Sequence, residues 1–129
     1  MASPPCPCQS GKTLAECCAP LIAGAHPADT AEALMRSRYT AFSLRDEAYL
    51  LATWHPSTRP SGLGLAAEPV AKWIGLQVRQ HCRTGDDSAT VEFVARYRVG
   101  GRAHRLHETS RFVREEARWY YLDGIMHGP

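Results

Sequence analysis

The chain has 129 residues, of which 15 are lysine or arginine and 13 are aspartate or glutamate, giving a formal net charge of +2. This length fits one domain with a small appendage, and the near balance of charge argues against a protein that binds nucleic acid. The sequence contains no apolar run near the roughly 20 residues of a membrane span. Its first residues also lack the basic and apolar regions of a signal peptide. We therefore expect a cytoplasmic protein whose cysteines are reduced.

Four of the five cysteines lie in one thirteen-residue segment near the N-terminus, CPCQSGKTLAECC. Disulfides are disfavoured there because the expected compartment is reducing and because a ring that joins adjacent cysteines is strained. The segment also lacks the apolar periodicity that would make its thiols part of a hydrophobic core. The sequence favours a third interpretation, a metal site. Its predicted ligands are Cys6, Cys8, Cys17 and Cys18.

Structural zinc matches this pattern, since it takes four ligands in a closed tetrahedron with Zn–S distances of about 2.3 Å. The two cysteine pairs must fold back on each other, and Gly11 can adopt the positive φ that the turn requires. Residues 14–16 predict a short helical turn before the second pair, and Lys12 could offset part of the thiolate charge. We expect one structural Zn²⁺ per chain and no zinc catalysis, because no coordination position stays open.

Two helices are predicted after this segment. Residues 23–30 read as a linker rich in small residues, glycine and proline. Apolar residues then recur at helical spacing over residues 31–44, with Asp29 or Thr30 as the N-cap. A second, shorter helix is predicted over residues 46–54, because a proline follows shortly after it.

The second half of the chain predicts strands. After a further helical turn at residues 70–73, apolar residues alternate every second position from Ile74 onward, which is the β-strand period. The segments TGDDS, VGGR and EEAR mark three turns between four strands. Helices followed by an antiparallel meander predict an α+β domain with the helices on one sheet face. The alternation places Cys82 on the core face, as an inert thiol.

Two turns determine which side chains of the last strands face the core. A loop at residues 100–101 places Glu108 on the core face, and a turn at residues 116–117 places Asp123 opposite Ser110, on the same face. Two carboxylates are therefore predicted on an otherwise apolar surface.

Buried carboxylates must be paired or lose their charge. Arg36 and Arg38 of the first helix and His55 after the second are the candidate partners. One interpretation is a structural ion-pair network that joins the helices to the sheet. The other is a polar pocket, formed by Glu108, Asp123, His55 and Arg36, that binds a small molecule or transfers a proton. The sequence leaves both open.

The cysteine segment resembles the SEC-C zinc knuckle, with Gln9 where glycine is usual. LMRSRYTAF (34–42), TWHP (53–56), SRF (110–112) and WYYLDG (119–124) resemble the bacterial YchJ-like family. That resemblance implies a zinc knuckle in residues 1–24. It also implies an NTF2-like domain in residues 25–129, a cone of helices on a curved four-stranded antiparallel sheet. It implies no established activity. Many members carry a second, C-terminal knuckle that this sequence lacks, so we do not expect a function that needs both.

Two functions follow as hypotheses. SEC-C knuckles are associated with protein contacts, so the resemblance implies a binding or adaptor module that meets a protein partner through the knuckle. The alternative is an enzyme or small-molecule-binding protein that uses the pocket in the cone. NTF2-like domains often dimerise through the open sheet face, so the resemblance also makes a homodimer an option.

Overall fold

In the computed structural model, residues 3–65 and 71–127 are described. A 3₁₀ turn and a short helix lie in the N-terminal segment, two further helices follow, and four strands complete the chain. Their bounds are Leu14–Glu16 (3₁₀), Cys18–Ile22 (α1), Ala31–Leu44 (α2), Glu47–Ala52 (α3), Lys72–Gly85 (β1), Ser88–Val99 (β2), Arg102–Glu115 (β3) and Arg118–Met126 (β4). The strands form one antiparallel sheet in the order β1-β2-β3-β4. The predicted α+β architecture is confirmed.

Helix α2 has the predicted bounds, and Thr30 is its N-cap, with its hydroxyl accepting a hydrogen bond from the Ala33 amide at 3.0 Å. Asp46 caps α3 in the same way, accepting from the Tyr49 amide at 3.1 Å. Helix α3 is shorter than predicted and ends at Ala52.

The turn between α2 and α3 depends on a residue in the left-handed region. Arg45 has φ 57°, and its amide and that of Asp46 donate to the carbonyls of Phe42 and Ala41 respectively. These two bonds are those of a Schellman motif, which satisfies the last carbonyls of α2. Glycine is usual at this position because it has no Cβ to strain.

Strand β1 differs from its prediction at its start and in its pairing with β2. It begins at Lys72, so the helical turn predicted at residues 70–73 is wrong for Trp73, which lies in the strand. Val70 lies outside the described residues. Irregularities between Trp73 and Gly75 and between Val78 and Gln80 shift the pairing with β2.

Each extra residue in β1 reverses the alternation of side chains between the two faces. His81 therefore lies half-buried, and Cys82 is exposed. The prediction that Cys82 lies on the core face is wrong for this reason. Ile74, predicted to face inward, is 39 % exposed.

The β2–β3 hairpin has the predicted register, with Val99 opposite Arg102 and Phe93 opposite Glu108. The β3–β4 pair keeps the predicted register from its turn to Phe112, which lies opposite Tyr121, and departs from it beyond a bulge between Arg111 and Phe112. Beyond that bulge, Asp123 pairs with Arg111 instead of Ser110.

One hydrophobic cluster joins the N-terminal segment to the rest of the chain. Three of its cysteines, Cys6, Cys8 and Cys18, are at most 4 % exposed and belong to the same buried cluster as Leu34 and Phe112. The thiol-bearing segment thus packs on the core instead of projecting from it. None of the described helices is long and apolar enough to cross a lipid bilayer.

The strained turn at Arg45 gives a first prediction. Arg45→Gly should increase the free energy of unfolding by about 1 kcal/mol, because relief of the left-handed strain exceeds the added entropy of the unfolded chain. Chemical denaturation measures it. Arg45→Ala is the matched control: it removes the same exposed side chain, keeps the strain and should leave stability nearly unchanged. An equal gain in both variants would show that the side chain, and not the backbone, is responsible.

Candidate functional site

The four predicted metal ligands converge on one point. Their sulfur atoms all lie within 4.8 Å of one another. The Sγ atoms of Cys8 and Cys17 are 3.6 Å apart, and those of Cys17 and Cys18 are 3.8 Å apart. A tetrahedron with Zn–S bonds of about 2.3 Å has S···S edges of about 3.8 Å. The donor set therefore fits a tetrahedral metal ion with thiolate ligands.

Backbone hydrogen bonds form the loop that carries the first pair. The Cys6 amide donates to the Lys12 carbonyl at 3.0 Å, and the Gln9 amide donates to the Cys6 carbonyl at 3.0 Å. Gln9 has φ 61°, a conformation that favours glycine. Its side-chain carbonyl accepts a hydrogen bond from the Leu76 amide at 3.0 Å. The glutamine thus gives the loop a direct bond to strand β1 that glycine could not make.

The thiols interact strongly with one another. A hydrogen bond from Cys18 lowers the pKa of Cys8 to about 4, and the same bond is the main cause that raises the pKa of Cys18. Burial raises the pKa of Cys17. A metal ion would replace the shared protons, since only deprotonated thiols act as ligands.

Arg36 lies beside this thiol cluster and does not line the predicted pocket. Its Nη1 donates to the Cys8 carbonyl at 2.8 Å, and its Nε donates to Glu32 at 3.0 Å. The sequence prediction that placed Arg36 in the cone is corrected by these contacts. On a helix, residues 36 and 38 point in nearly opposite directions.

A cavity of about 250 Å³ lies between α2 and the sheet. Its walls are mostly apolar, and few polar groups reach it. The aromatic residues that line it are Tyr39, Phe42, Trp54, Trp73, Phe93, Phe112 and Tyr121. Concave, largely apolar surfaces with a few converging polar groups are typical of small-molecule sites.

Glu108 lines this cavity, as predicted from the hairpin register. Its Oε2 accepts hydrogen bonds from the Ser110 hydroxyl and from the Tyr121 hydroxyl, the latter at 3.4 Å. The side chain lies over Gly124, where a Cβ would collide with the carboxyl group. Glycine at this position therefore determines where the carboxylate can lie.

Arg38 is the cation among the described residues that line the cavity, and the residue is 6 % exposed. Its Nη1 donates to the Leu50 carbonyl at 2.8 Å and to the Thr53 hydroxyl at 2.6 Å. Its guanidinium carbon lies 5.2 Å from the ring centroid of Trp54 and 4.6 Å from that of Tyr121. Burial lowers the pKa of Arg38 to about 10, so the group stays charged at neutral pH.

The other two predicted pocket residues lie elsewhere. The Asp123 carboxylate accepts hydrogen bonds from Arg111, with an Nε–Oδ1 distance of 2.6 Å, and this partner lowers the pKa of Asp123. His55 lies 2.7 Å from the Glu115 carboxylate through its Nε2. Neither residue lines the cavity. Of the four predicted pocket residues, only Glu108 does.

Sequence reasoning missed a second cluster, on the sheet face opposite the cavity. Nε2 of His107 lies 2.7 Å from Glu92, and Nε2 of His127 lies 2.7 Å from the Thr109 hydroxyl. The two imidazole rings stack with centroids 4.2 Å apart. The ligand atoms of Glu92, His107 and His127 lie within 4.8 Å of one another, as a metal site would require. Their sequence spacing is irregular, so only the sheet register could have indicated the cluster.

Comparison with solved structures supports the architecture. The chain is similar to a SEC-C motif containing protein from Rhodopseudomonas palustris, determined in solution, with a TM-score of 0.86 and 37% identity over 95% of this chain and 98% of that one. It is also similar to the crystal structure of a SEC-C motif containing protein from Psychrobacter arcticus. There the TM-score is 0.78, with 31% identity over 96% of this chain and 83% of that one.

Sequence comparison agrees. The family model described as the YchJ middle NTF2-like domain matches residues 30–124, and the SEC-C motif matches residues 5–20. A UPF0225 protein of Chromobacterium violaceum is 56% identical over 94% of this chain and 92% of its own length. A UPF0225 protein of Methylibium petroleiphilum is 54% identical over 97% of this chain and 92% of its own length. These matches confirm both predicted resemblances, and the chain belongs to the UPF0225 family.

Proposed function

We propose that the protein is a small-molecule-binding protein in which one structural zinc ion holds the N-terminal segment against the core. The observation that carries the binding function is Arg38. This residue is a buried cation in an aromatic cavity, and no carboxylate of the described residues forms an ion pair with it. Burying a charge without a counter-ion is costly, so such a residue is typical of a site that receives one.

The zinc ion has a structural role in this proposal. Three of the four cysteines are buried, and the Cys6 sulfur lies 3.6 Å from the buried Thr40 hydroxyl of α2. A closed tetrathiolate site leaves no coordination position for a substrate. Zinc binding would instead supply folding free energy to a segment with few apolar residues of its own.

A protein-binding role for the knuckle is the second candidate. A polar groove of about 400 Å³ runs beside the thiols and exposes groups of both charges, among them Lys12, Glu16 and Asp29. Mixed charge of this kind favours electrostatic selection of a partner. Lys12→Glu would disturb that surface without touching the cavity, so the two candidate functions can be separated.

Removal of the metal tests the zinc proposal. Protein purified without added zinc should contain one zinc per chain by elemental analysis, and a chelator should release four thiols. Cys8→Ser should lose the metal and lower the free energy of unfolding by several kcal/mol. Cys82→Ser, at an exposed free thiol, should change neither.

A second control separates the two clusters that could hold a metal. His127→Ala removes one ligand of the sheet-face cluster and should leave the zinc content intact. If the zinc content is unchanged in Cys8→Ser but lost in His127→Ala, the proposal is contradicted, because the ion would then lie on the sheet.

A fragment screen by ligand-observed NMR tests the cavity. Fragment-sized aromatic compounds should bind the native protein, since about 250 Å³ lies just below the range of roughly 300–1,000 Å³ for drug-sized sites. Ala95 lines the cavity and is 1 % exposed, so Ala95→Leu should fill it and abolish binding. The variant should remain as stable as the native protein, because the added carbons occupy existing space. Equal binding by both proteins would place the fragments elsewhere, and no binding to the native protein would reject the function.

A further inference from the structure

The polar groups of the cavity suggest which ligand it takes. Arg38 supplies one positive charge and Glu108 one negative charge, and the remaining walls are largely apolar. The two groups do not form an ion pair with each other among the described contacts. Both groups contact Tyr121: the guanidinium carbon of Arg38 lies 4.6 Å from the centroid of its ring, and its hydroxyl donates to Glu108.

Some hydrogen-bond donors of the Arg38 guanidinium have no partner among the described residues. Both of its protein hydrogen bonds use Nη1, which leaves Nε and Nη2 without a partner among the described residues. Among the described residues, two side-chain polar atoms are both inaccessible to solvent and without a hydrogen bond, His81 Nε2 and Trp119 Nε1. Arg38 Nε and Nη2 are not among them. The free Arg38 atoms are therefore still accessible, although the side chain as a whole is buried. A planar guanidinium with two adjacent free donors matches a carboxylate.

Glu108 has a free acceptor. Its two protein hydrogen bonds both go to Oε2, which leaves Oε1 without a donor among the described residues. An ionised carboxylate accepts at both oxygens, and a ligand ammonium group is the strongest partner that could satisfy the second. The Ser110 and Tyr121 hydroxyls position the carboxylate, and Gly124 leaves the space that it occupies.

We infer that the cavity binds a small zwitterion with an apolar or aromatic body, its carboxylate on Arg38 and its ammonium group on Glu108. This inference rests on the proposed small-molecule binding and specifies the ligand class. A monoanion would place a second negative charge beside the half-buried Glu108, and a monocation would leave the buried Arg38 unpaired. Only a ligand with both charges neutralises both groups, as a site with desolvated polar groups requires.

Three probes with the same phenyl body separate these cases: L-phenylalanine, 3-phenylpropionate and 2-phenylethylamine. Titrations followed by ¹H–¹⁵N NMR, with the amides of Ala95 and Leu106 as reporters of the cavity, give the dissociation constants. L-Phenylalanine should bind at least about tenfold more tightly than either singly charged probe, the effect of one charge-assisted hydrogen bond.

Glu108→Gln is the matched variant, since it keeps the shape and removes the charge. It should reduce the affinity for L-phenylalanine by at least about tenfold and leave that for 3-phenylpropionate equal or higher. Gly124→Ala keeps the charge but displaces the carboxylate, so it should produce the same loss. Neither variant touches Arg38, whose replacement could unfold the protein through its bonds to Leu50 and Thr53.

The other outcomes are distinguishable. If 3-phenylpropionate binds the native protein as tightly as L-phenylalanine, the cavity binds anions and the zwitterion inference is overturned, while small-molecule binding stands. If none of the three probes binds, the inference is also overturned. The fragment screen with Ala95→Leu then decides the proposed function separately. An unchanged preference for L-phenylalanine in Glu108→Gln would likewise reject the assignment of the ammonium group to Glu108.

Discussion

Helix α2 is the wall that the four-cysteine cluster and the cavity share, and the arrangement of both depends on its packing against the sheet. Residues four apart on a helix lie on one side, and here Arg36 and Thr40 meet the thiol segment through the Cys8 carbonyl and the Cys6 sulfur. Arg38 and Tyr39 face the cavity on another side. The helix is 14 residues long, so most of its stability must come from these tertiary contacts. A metal ion bound to the four cysteines would anchor one side of α2 and would therefore also fix the position of the cavity wall.

The buried arginine is the main energetic cost of this arrangement. Two hydrogen bonds to the α3 region and two aromatic faces compensate for part of the lost hydration of Arg38. Replacing such buried charges by apolar residues often makes a protein more stable, so stability alone does not account for this residue. A ligand carboxylate in direct contact with Arg38 does account for it, because part of the cost of desolvation is then recovered on binding.

Structural features that depend on local residue spacing were predicted correctly from the sequence. Side-chain positions that depend on one extra residue in a strand were not. The bounds of α2, the glycine hairpin and the position of Glu108 follow from periodicity and turn chemistry. The positions of Cys82 and Asp123 do not, because bulges in β1 and β4 reverse the alternation, and a bulge has no reliable sequence signal. The sequence does indicate which arginine of α2 faces the cavity. Arg38 lies on the same side of the helix as the apolar residues at 35, 39 and 42, whereas Arg36 does not.

The bulge between Arg111 and Phe112 determines which charges reach the cavity. An unbroken register would place Ser110 opposite Asp123 and bring a second carboxylate beside Glu108, and two like charges in an apolar site raise the cost of ionising either. The bulge instead turns Asp123 toward Arg111, on the opposite face, and places Gly124 opposite Ser110. The same shift removes the competing charge and provides the space into which the Glu108 side chain folds. Among the described residues that line the cavity, this irregularity thus leaves one anion, Glu108, and one cation, Arg38, and it is this balance that favours a zwitterionic ligand.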